Sequence, residues 1–493
     1  MVAMAYAKGA YQRSDLPELR VVNQYAEAVP AEVDGRQGFG IVLIGRPGLK
    51  RNSVVGSGPV RGMFAQPGAL GNDVFVVSGM TLFRGSTALG SIGGSALVRM
   101  AATPGELLVA NGSGLSVYSD TGLQVVDFPD AAGVTGVAYL AGYALASRTD
   151  TRRIYFTLDP ATWDGLDYFS AEQDTAPIAG IAVLQEKLWV FTSRTMEVFF
   201  PTGDPDAPLQ RLDGQFYDRG CLTGDSIAKM DNTIFWVGDD RKVYRAEQTP
   251  VKVSTDGIDE RLARSLSSDI RAFTYPWNGH EFYCLRTAEG TFAYDAATRV
   301  WHEVESLDRP AWRAHQAIEW QGRVLCGDDQ SGTIWELDDA TLEDDGVAIS
   351  RRVTALVGNA PLFVDNLQCN VATGQAPVYG EVPVLERRIS RDRGATWGPW
   401  QGRDLGAKGQ RRARAVWLRN GLADDQTVFE FRITDATPWR ISSIRHSEPL
   451  AGLATTTAGT IIKTPGIPGS NYVQSLDFSD ARNSQYLTLI EDI

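Results

Sequence analysis

The chain has 493 residues and a mass of 53.7 kDa, more than one hydrophobic core serves, so two or three domains are expected. A net charge of -13 and a pI near 5.0 exclude ordinary duplex binding, which depends on clustered Lys and Arg displacing counterions from phosphate. Cys221, Cys284, Cys326 and Cys369 stand far apart with no CxxC pair, which excludes a zinc site or a disulfide framework of recognisable spacing and leaves buried thiols.

Fifty glycines beside 47 aromatic residues (Trp 12, Tyr 16, Phe 19) and a charged fraction of 22% describe many short strands joined by tight turns, an all-β chain. Residues 1–11 show no charged stretch followed by an apolar run, and no later segment reaches the ~20 apolar residues that span a bilayer. A soluble protein without a membrane span, made in a reducing cytoplasm, is expected. Residues 1–60 read as an N-terminal arm leading into the first repeat.

From 61 to 345 one plan recurs: a short apolar run, a Gly, Asp or Asn turn, and a second run ending in an aromatic. It predicts hairpins at 73–84, 107–118, 143–156, 187–200, 233–244, 281–294 and 323–335. With Val76, Val109, Ala144, Val190, Trp236, Tyr283 and Leu325 as equivalent points, the spacing runs from 33 to 47 residues, the length of propeller blades. About seven blades are expected, with six and eight left open. Their innermost strands, rich in Val and Leu, would line the core. The copy at 143–156 is the weakest, because Arg148, Asp150, Arg152 and Arg153 lengthen its turn.

The acidic segment 338–345 reads as a linker, since its charges have no apolar face to cover. Beyond it, over 346–450, longer alternating strands at 382–389, 413–418, 427–433 and 440–445 predict a separate antiparallel β-sandwich. Residues 451–493, rich in small residues and proline, read as an extended C-terminal tail that lies on a neighbour.

Within the expected sandwich, Ser390, Asp392, Gly394 and Trp397 match the Asp-box pattern S-x-D-x-G-x-T-W. The chemistry of that pattern is structural: the carboxylate accepts backbone N–H bonds of the turn, Gly394 supplies positive φ, and Trp397 folds back on the hairpin. Sialidases carry several such boxes. A propeller glycosidase or carbohydrate-binding tail protein is therefore the competing reading, and it requires carboxylates roughly 5–9 Å apart or an arginine triad at the propeller mouth.

The basic run Arg411, Arg412 and Arg414, continuing past Trp417 to Arg419, reads as a solvated face or as a docking surface for an acidic partner. His280, His302, His315 and His446 are too dispersed for a metal site or a nucleophile and base pair. The pairs Asp239-Asp240, Asp328-Asp329 and Asp424-Asp425 read as solvated turns, with calcium binding as the second reading. The run 90–94 lacks the Lys-Ser/Thr and helix of a phosphate cradle. No catalytic, cofactor-binding or metal residues are singled out, and no enzyme is expected.

Three stretches resemble the packaged-DNA stabilisation family of P22-like short-tailed bacteriophages, the tail hub or nozzle. They are Val22-Asn23-Gln24-Tyr25-Ala26-Glu27 with Arg46-Pro47-Gly48-Leu49; Asp167 to Glu172, Ile178 to Ile181 and Trp189 to Gly203; and the strand pair carrying Ser390 to Trp397. Together they span about 15–450. The resemblance implies a structural protein of the virion tail, made in the host bacterial cytoplasm. It implies a hexameric ring that joins the portal adaptor ring to a tail needle or plug and to tailspikes or tail fibres. Such a ring retains genomic DNA and passes it through its lumen without sequence-specific binding. The remaining alternative is a propeller scaffold of cellular origin.

Overall fold

The computed structural model describes residues 2–3, 5–6, 19–33, 36–307, 309–356, 361–447, 453–455 and 461–463. Among these residues, seven antiparallel blades of four strands follow one another. The first is Val60–Phe64, Phe75–Ser78, Thr81–Arg84 and Thr87–Ser91. The next six begin at the innermost strands Arg99–Ala102, Val134–Leu140, Ile178–Leu184, Ala228–Met230, Arg271–Trp277 and Ala314–Trp320. Each expected hairpin forms the two middle strands of a blade, including the weak copy, where Tyr143–Arg148 pairs with Arg153–Thr157.

The apolar bulk expected on the innermost strands lies instead on these middle strands. Thr233–Val237 and Gly290–Asp295, for example, are buried at every position, because blades cover both of their faces. The innermost strands carry small residues where they converge. A bulge recurs near their start, between Val60 and Gly62, Val134 and Gly136, Ile178 and Gly180, and Ala314 and Gln316. A Cβ on Gly180 would come within 2.7 Å of Ile227 and 3.2 Å of Gly224 in the next blade, so glycine here sets how closely blades approach.

Six blades come from contiguous chain; the seventh does not. Its first three strands, Ala314–Trp320, Arg323–Asp328 and Thr333–Asp338, receive Gly48–Val54 as their outer strand. The N-terminal region thus closes the ring and removes the edges that an open sheet would expose. The one α-helix among the described residues, Asp256–Arg264, links the fifth blade to the sixth. Asp256 and Asp259 in its first turn and Arg261 and Arg264 in its last complement its dipole, and Ile258 and Leu262 are buried. The repeating hairpin pattern does not anticipate it.

The sandwich follows, with the expected strands at Val384–Ser390, Ala415–Ala423, Val428–Ile433 and Arg440–Ser447. One sheet runs Gln24–Val33, Arg36–Gly45, Arg440–Ser447, Leu362–Val371 and Ala415–Ala423. The other runs Val21–Val22, Arg351–Leu356, Val428–Ile433, Val384–Ser390 and Gln401–Asp404. Leu43, Val353, Leu367, Trp417, Phe429 and Ile441 fill the space between them. The described part of residues 1–60, expected as an arm, is therefore divided: Val21–Val22, Gln24–Val33 and Arg36–Gly45 are sandwich strands, and Gly48–Val54 is a blade strand. The two domains are also joined, since Val21–Val22 pairs in parallel with Trp301–Val304 of the sixth blade. The tail expected over 451–493 lies outside the described residues, apart from the strand pair Leu453–Thr455 and Ile461–Lys463.

Candidate functional site: the propeller axis, its closure and the sandwich edge

The innermost strands enclose an axial cavity of about 700 Å³ lined mainly by Ala, Gly, Val and Thr. Three charged residues face it: Arg99, Asp225 and Lys229. Arg99 donates to the Asp225 carboxylate at 2.6 Å and to the Gly224 carbonyl at 2.7 Å, so the one carboxylate lining the cavity is already engaged. The carboxylate pair that glycoside hydrolysis needs is not among the described residues lining it.

Closure depends on a buried polar cluster. Arg46 and Asp344, 1% and 2% exposed at their side chains, form a two-pronged salt bridge at 2.7 and 2.9 Å. Arg46 also donates to the Asn23 side chain at 2.8 Å and to the carbonyls of Pro47 and Glu305, and it lies over the Trp312 ring. One guanidinium thereby ties together the closing strand, the sixth and seventh blades and the first sandwich strand. The segment 338–345 is therefore no linker. Glu343–Asp344 pairs with the closing strand, and Asp344 is buried because Arg46 waits for it. Gly48 lies beneath this segment, where a Cβ would meet the carbonyl oxygens of Glu343 and Thr341 at 2.3 Å. Arg351, also buried, packs on Gly45 beside the cluster; burial and then the charge of Arg46 push its pKa down to about 10.

A second polar clasp holds the sandwich hairpin to the sixth blade. His280 bridges Asp295, at 2.9 Å from Nδ1, and Glu27, at 2.8 Å from Nε2. Burial opposes protonation, but the hydrogen bonds and charges of the two carboxylates outweigh it and raise the pKa to about 9. His302, fully enclosed nearby, is driven the other way by burial, to about 4. Two further ion pairs, Arg20 with Glu303 and Arg352 with Glu305, span the same junction. All four histidines are buried.

The acidic pairs separate into two kinds. Asp239 and Asp240 stay partly exposed beside Arg219 and Lys242. Asp328 and Asp329 are not the solvated turn that was expected. Asp328 accepts from Arg313 and the Trp335 indole, Asp329 from Arg286 and Arg309; Asp328 is buried and the Asp329 carboxylate nearly so, because these donors replace water. Among the described residues no cluster could hold a metal ion. The four cysteines are buried thiols whose pKa values burial pushes up.

In the sandwich, the Asp-box residues form one turn. Ser390 is buried; its hydroxyl donates to Asp392 at 2.7 Å and accepts from the Gly394 N–H at 2.8 Å. Asp392 accepts from the Thr396 N–H at 2.8 Å and its hydroxyl at 2.5 Å, which together hold the carboxyl down at about 2. Gly394 has φ of +91°. Trp397 stacks on Arg388, 4.3 Å from its guanidinium, and Arg388 also lies over Trp400. Arg411, Arg412, Arg414 and Arg419 are exposed, but Trp417 is wholly buried in the sandwich core, where its indole N–H donates to the Gln401 carbonyl. The docking-surface reading therefore loses Trp417, while the exposed arginines fit the solvated face: on an alternating strand Trp417 faces inward and its neighbours outward.

Sequence reasoning missed the polar residues of the junction. Glu27 and Arg46 stand in family-like motifs that give them no role, and His280, Asp295 and Asp344 have no local pattern, because each is explained only by a partner far along the chain. The repeated bulge does have a sequence signature, Val-Arg-Gly-Met, Val-Thr-Gly-Val and Ile-Ala-Gly-Ile, which marks three innermost strands.

A propeller whose outer strand and neighbouring sandwich come from the same N-terminal segment defines a single interlocked structural body. Family models match its two parts in order: "Bacteriophage P22 Gp10, beta-propeller" over 5–342 and "Bacteriophage P22 Gp10, beta-sandwich" over 351–447. These matches define the class, a structural protein of the bacteriophage virion. The chain belongs to the P22 Gp10 family, that of P22-like packaged-DNA stabilisation proteins. No curated protein matches it. Similar solved structures include the computationally designed Ika8 protein (14% identity, 68% of this chain and 98% of that one, TM-score 0.35). Another is the Cps50 (Swd1) β-propeller domain of Myceliophteria thermophila (10%, 59% and 100%, 0.38), and a third is an exo-β-1,3-galactanase of Phanerochaete chrysosporium (11%, 63% and 95%, 0.26). All three scores lie below 0.5, and the assignment rests on the family models alone.

Proposed function

We propose that the chain is a subunit of a hexameric hub in the phage tail, joining the portal adaptor ring to the distal tail parts, retaining packaged DNA and forming the conduit for its ejection. The observation that carries this reading is the match of both domains, in order, to the two Gp10 models. The build of the molecule supports it. A ring closed by its own N-terminal strand and sharing a sheet with the sandwich is stiff, and stiff bodies with broad faces suit closed symmetric assemblies. The net charge of -13 suits a wall along which DNA slides without adhering. A tail needle or plug and tailspikes or fibres are the further partners of this reading.

Electron microscopy of the purified protein mixed with its adaptor ring tests it. A six-fold collar on the adaptor is expected; single subunits beside bare adaptor rings would overturn it. The conduit role has its own test, since reversing acidic lumen residues should slow ejection or weaken genome retention, and unchanged values of both would remove it.

A further inference from the structure

The sandwich contains a buried cation without a counter-charge. Arg387 is 3% exposed and lies over the Trp417 ring at 5.6 Å. Its Nη2 donates to the side-chain carbonyl of Gln401, while Nε and Nη1 have no hydrogen-bond partner. A buried guanidinium left with open donors is costly, and such a group is retained where something completes it. It lines a recess of about 460 Å³ at the sandwich edge, together with Arg391, Thr396, Trp397 and Gln401.

The surroundings deepen the imbalance. Arg391 donates only to the carbonyls of Leu422 and Asn420, and Arg403 to those of Val416 and Gly402. The neighbouring arginines 388, 393 and 432 each have a carboxylate, Glu430, Asp425 and Glu386. Arg387 thus lies near two further guanidinium groups in a chain that is strongly acidic overall, and of the three only Arg391 feels a carboxylate, that of Asp424. Burial, then the charges of Arg403 and Arg391, depress the Arg387 pKa to about 10.

The geometry points to a socket for the carboxylate of an Asp or Glu on a partner polypeptide, received by Arg387 in place of the neutral Gln401 amide. Gln401 is exposed and can turn aside. A carboxylate taking its place would form charge-assisted, two-pronged bonds that an amide oxygen cannot match. Arg391 adds charge at the mouth and the Trp397 ring forms a wall. A side chain fits this recess, whereas a duplex backbone does not, and the acidic chain repels DNA. The exposed Arg411, Arg412 and Arg414 would then steer an acidic partner without being the site themselves.

The test is calorimetric titration of the full chain with an acetylated, amidated hexa-aspartate peptide, its hexa-asparagine counterpart, inorganic phosphate and a short DNA duplex. The aspartate peptide alone should bind. Arg387→Met should weaken it about tenfold or more without lowering the thermal midpoint, since a buried unpaired charge is removed. Gln401→Ala, which uncovers the fork, should tighten it. If Arg387→Met does not fold, the exposed Arg391→Gln reads the same site and should weaken binding in the same direction. Unchanged affinity in these variants, a loss caused only by Arg412→Gln, or tighter binding of phosphate or duplex would each overturn the proposal.

Discussion

The propeller and the sandwich are both antiparallel β structures, yet they are assembled in opposite ways. Six blades form from strands adjacent in the chain, and each middle hairpin is completed by its immediate neighbours. The sandwich joins strands from the two ends: Arg440 and Ile441 pair with Ile44 and Leu43, and the Trp439 indole donates to Gln24 at 2.7 Å. The seventh blade belongs to both styles, since its outer strand comes from residues 48–54. Local assembly needs only apolar pattern and turns. Long-range assembly needs specific partners, and at the junction those partners are buried charges.

The contrast can be broken first at the closure. Arg46→Met leaves Asp344 buried and unpaired and should cost about 3–5 kcal/mol in chemical denaturation. The double change Arg46→Met with Asp344→Leu should recover most of that loss; a double variant no better than the single one would show that the guanidinium holds the closure through its other bonds.

The His280 clasp should come next. Its folded pKa is near 9 against 6.5 ordinarily, so its contribution is complete below pH 6.5 and is lost as pH rises through 9. The amount is roughly 2–3 kcal/mol. The melting temperature should therefore fall between pH 7 and pH 9.5 (about the span over which the proton is lost), and His280→Gln should flatten that slope. Equal slopes in the two proteins would remove the clasp from the account.

Within a blade the effects should be smaller. Gly180→Val crowds Ile227, a flexible side chain, and should cost roughly 1–3 kcal/mol without changing the pH dependence. The smallest effect is expected at the Asp-box turn, where Asp392→Asn weakens bonds that lie at the surface. Because the Asp392 pKa is lowered, its contribution exists above pH 3.8 and disappears as pH falls through about 2, so parent and variant should converge in acid. A difference that persists at pH 2 would assign the effect to shape and not to charge.

The seven hairpins were legible because apolar alternation and Gly or Asp turns are local properties, and each blade repeats them. The sandwich strands after 380 were legible for the same reason. What was not legible shares one feature: its explanation lies hundreds of residues away. The segment 338–345 looks solvated until Arg46 is seen opposite Asp344, and the Asp328-Asp329 turn looks solvated until Arg286, Arg309, Arg313 and the Trp335 indole are seen around its carboxylates. Trp417 could be read with the exposed basic run because strand alternation gives the two faces but not which one turns inward. Arg387 carries no sequence signal at all; its interest lies in what surrounds it.

Sequence alone determined the class of the fold, a repeat of about seven blades, the order of the two domains and the resemblance to the family, since these follow from periodicity, turn chemistry and motifs read in place; the structure fixed the count at seven. Tertiary structure decided how the ring closes, which end of the chain completes the sandwich, and which charges are buried. The physical reason is that burying a charge is favourable only with a partner in reach, and reach across the chain is set by the folded geometry and not by the order of residues.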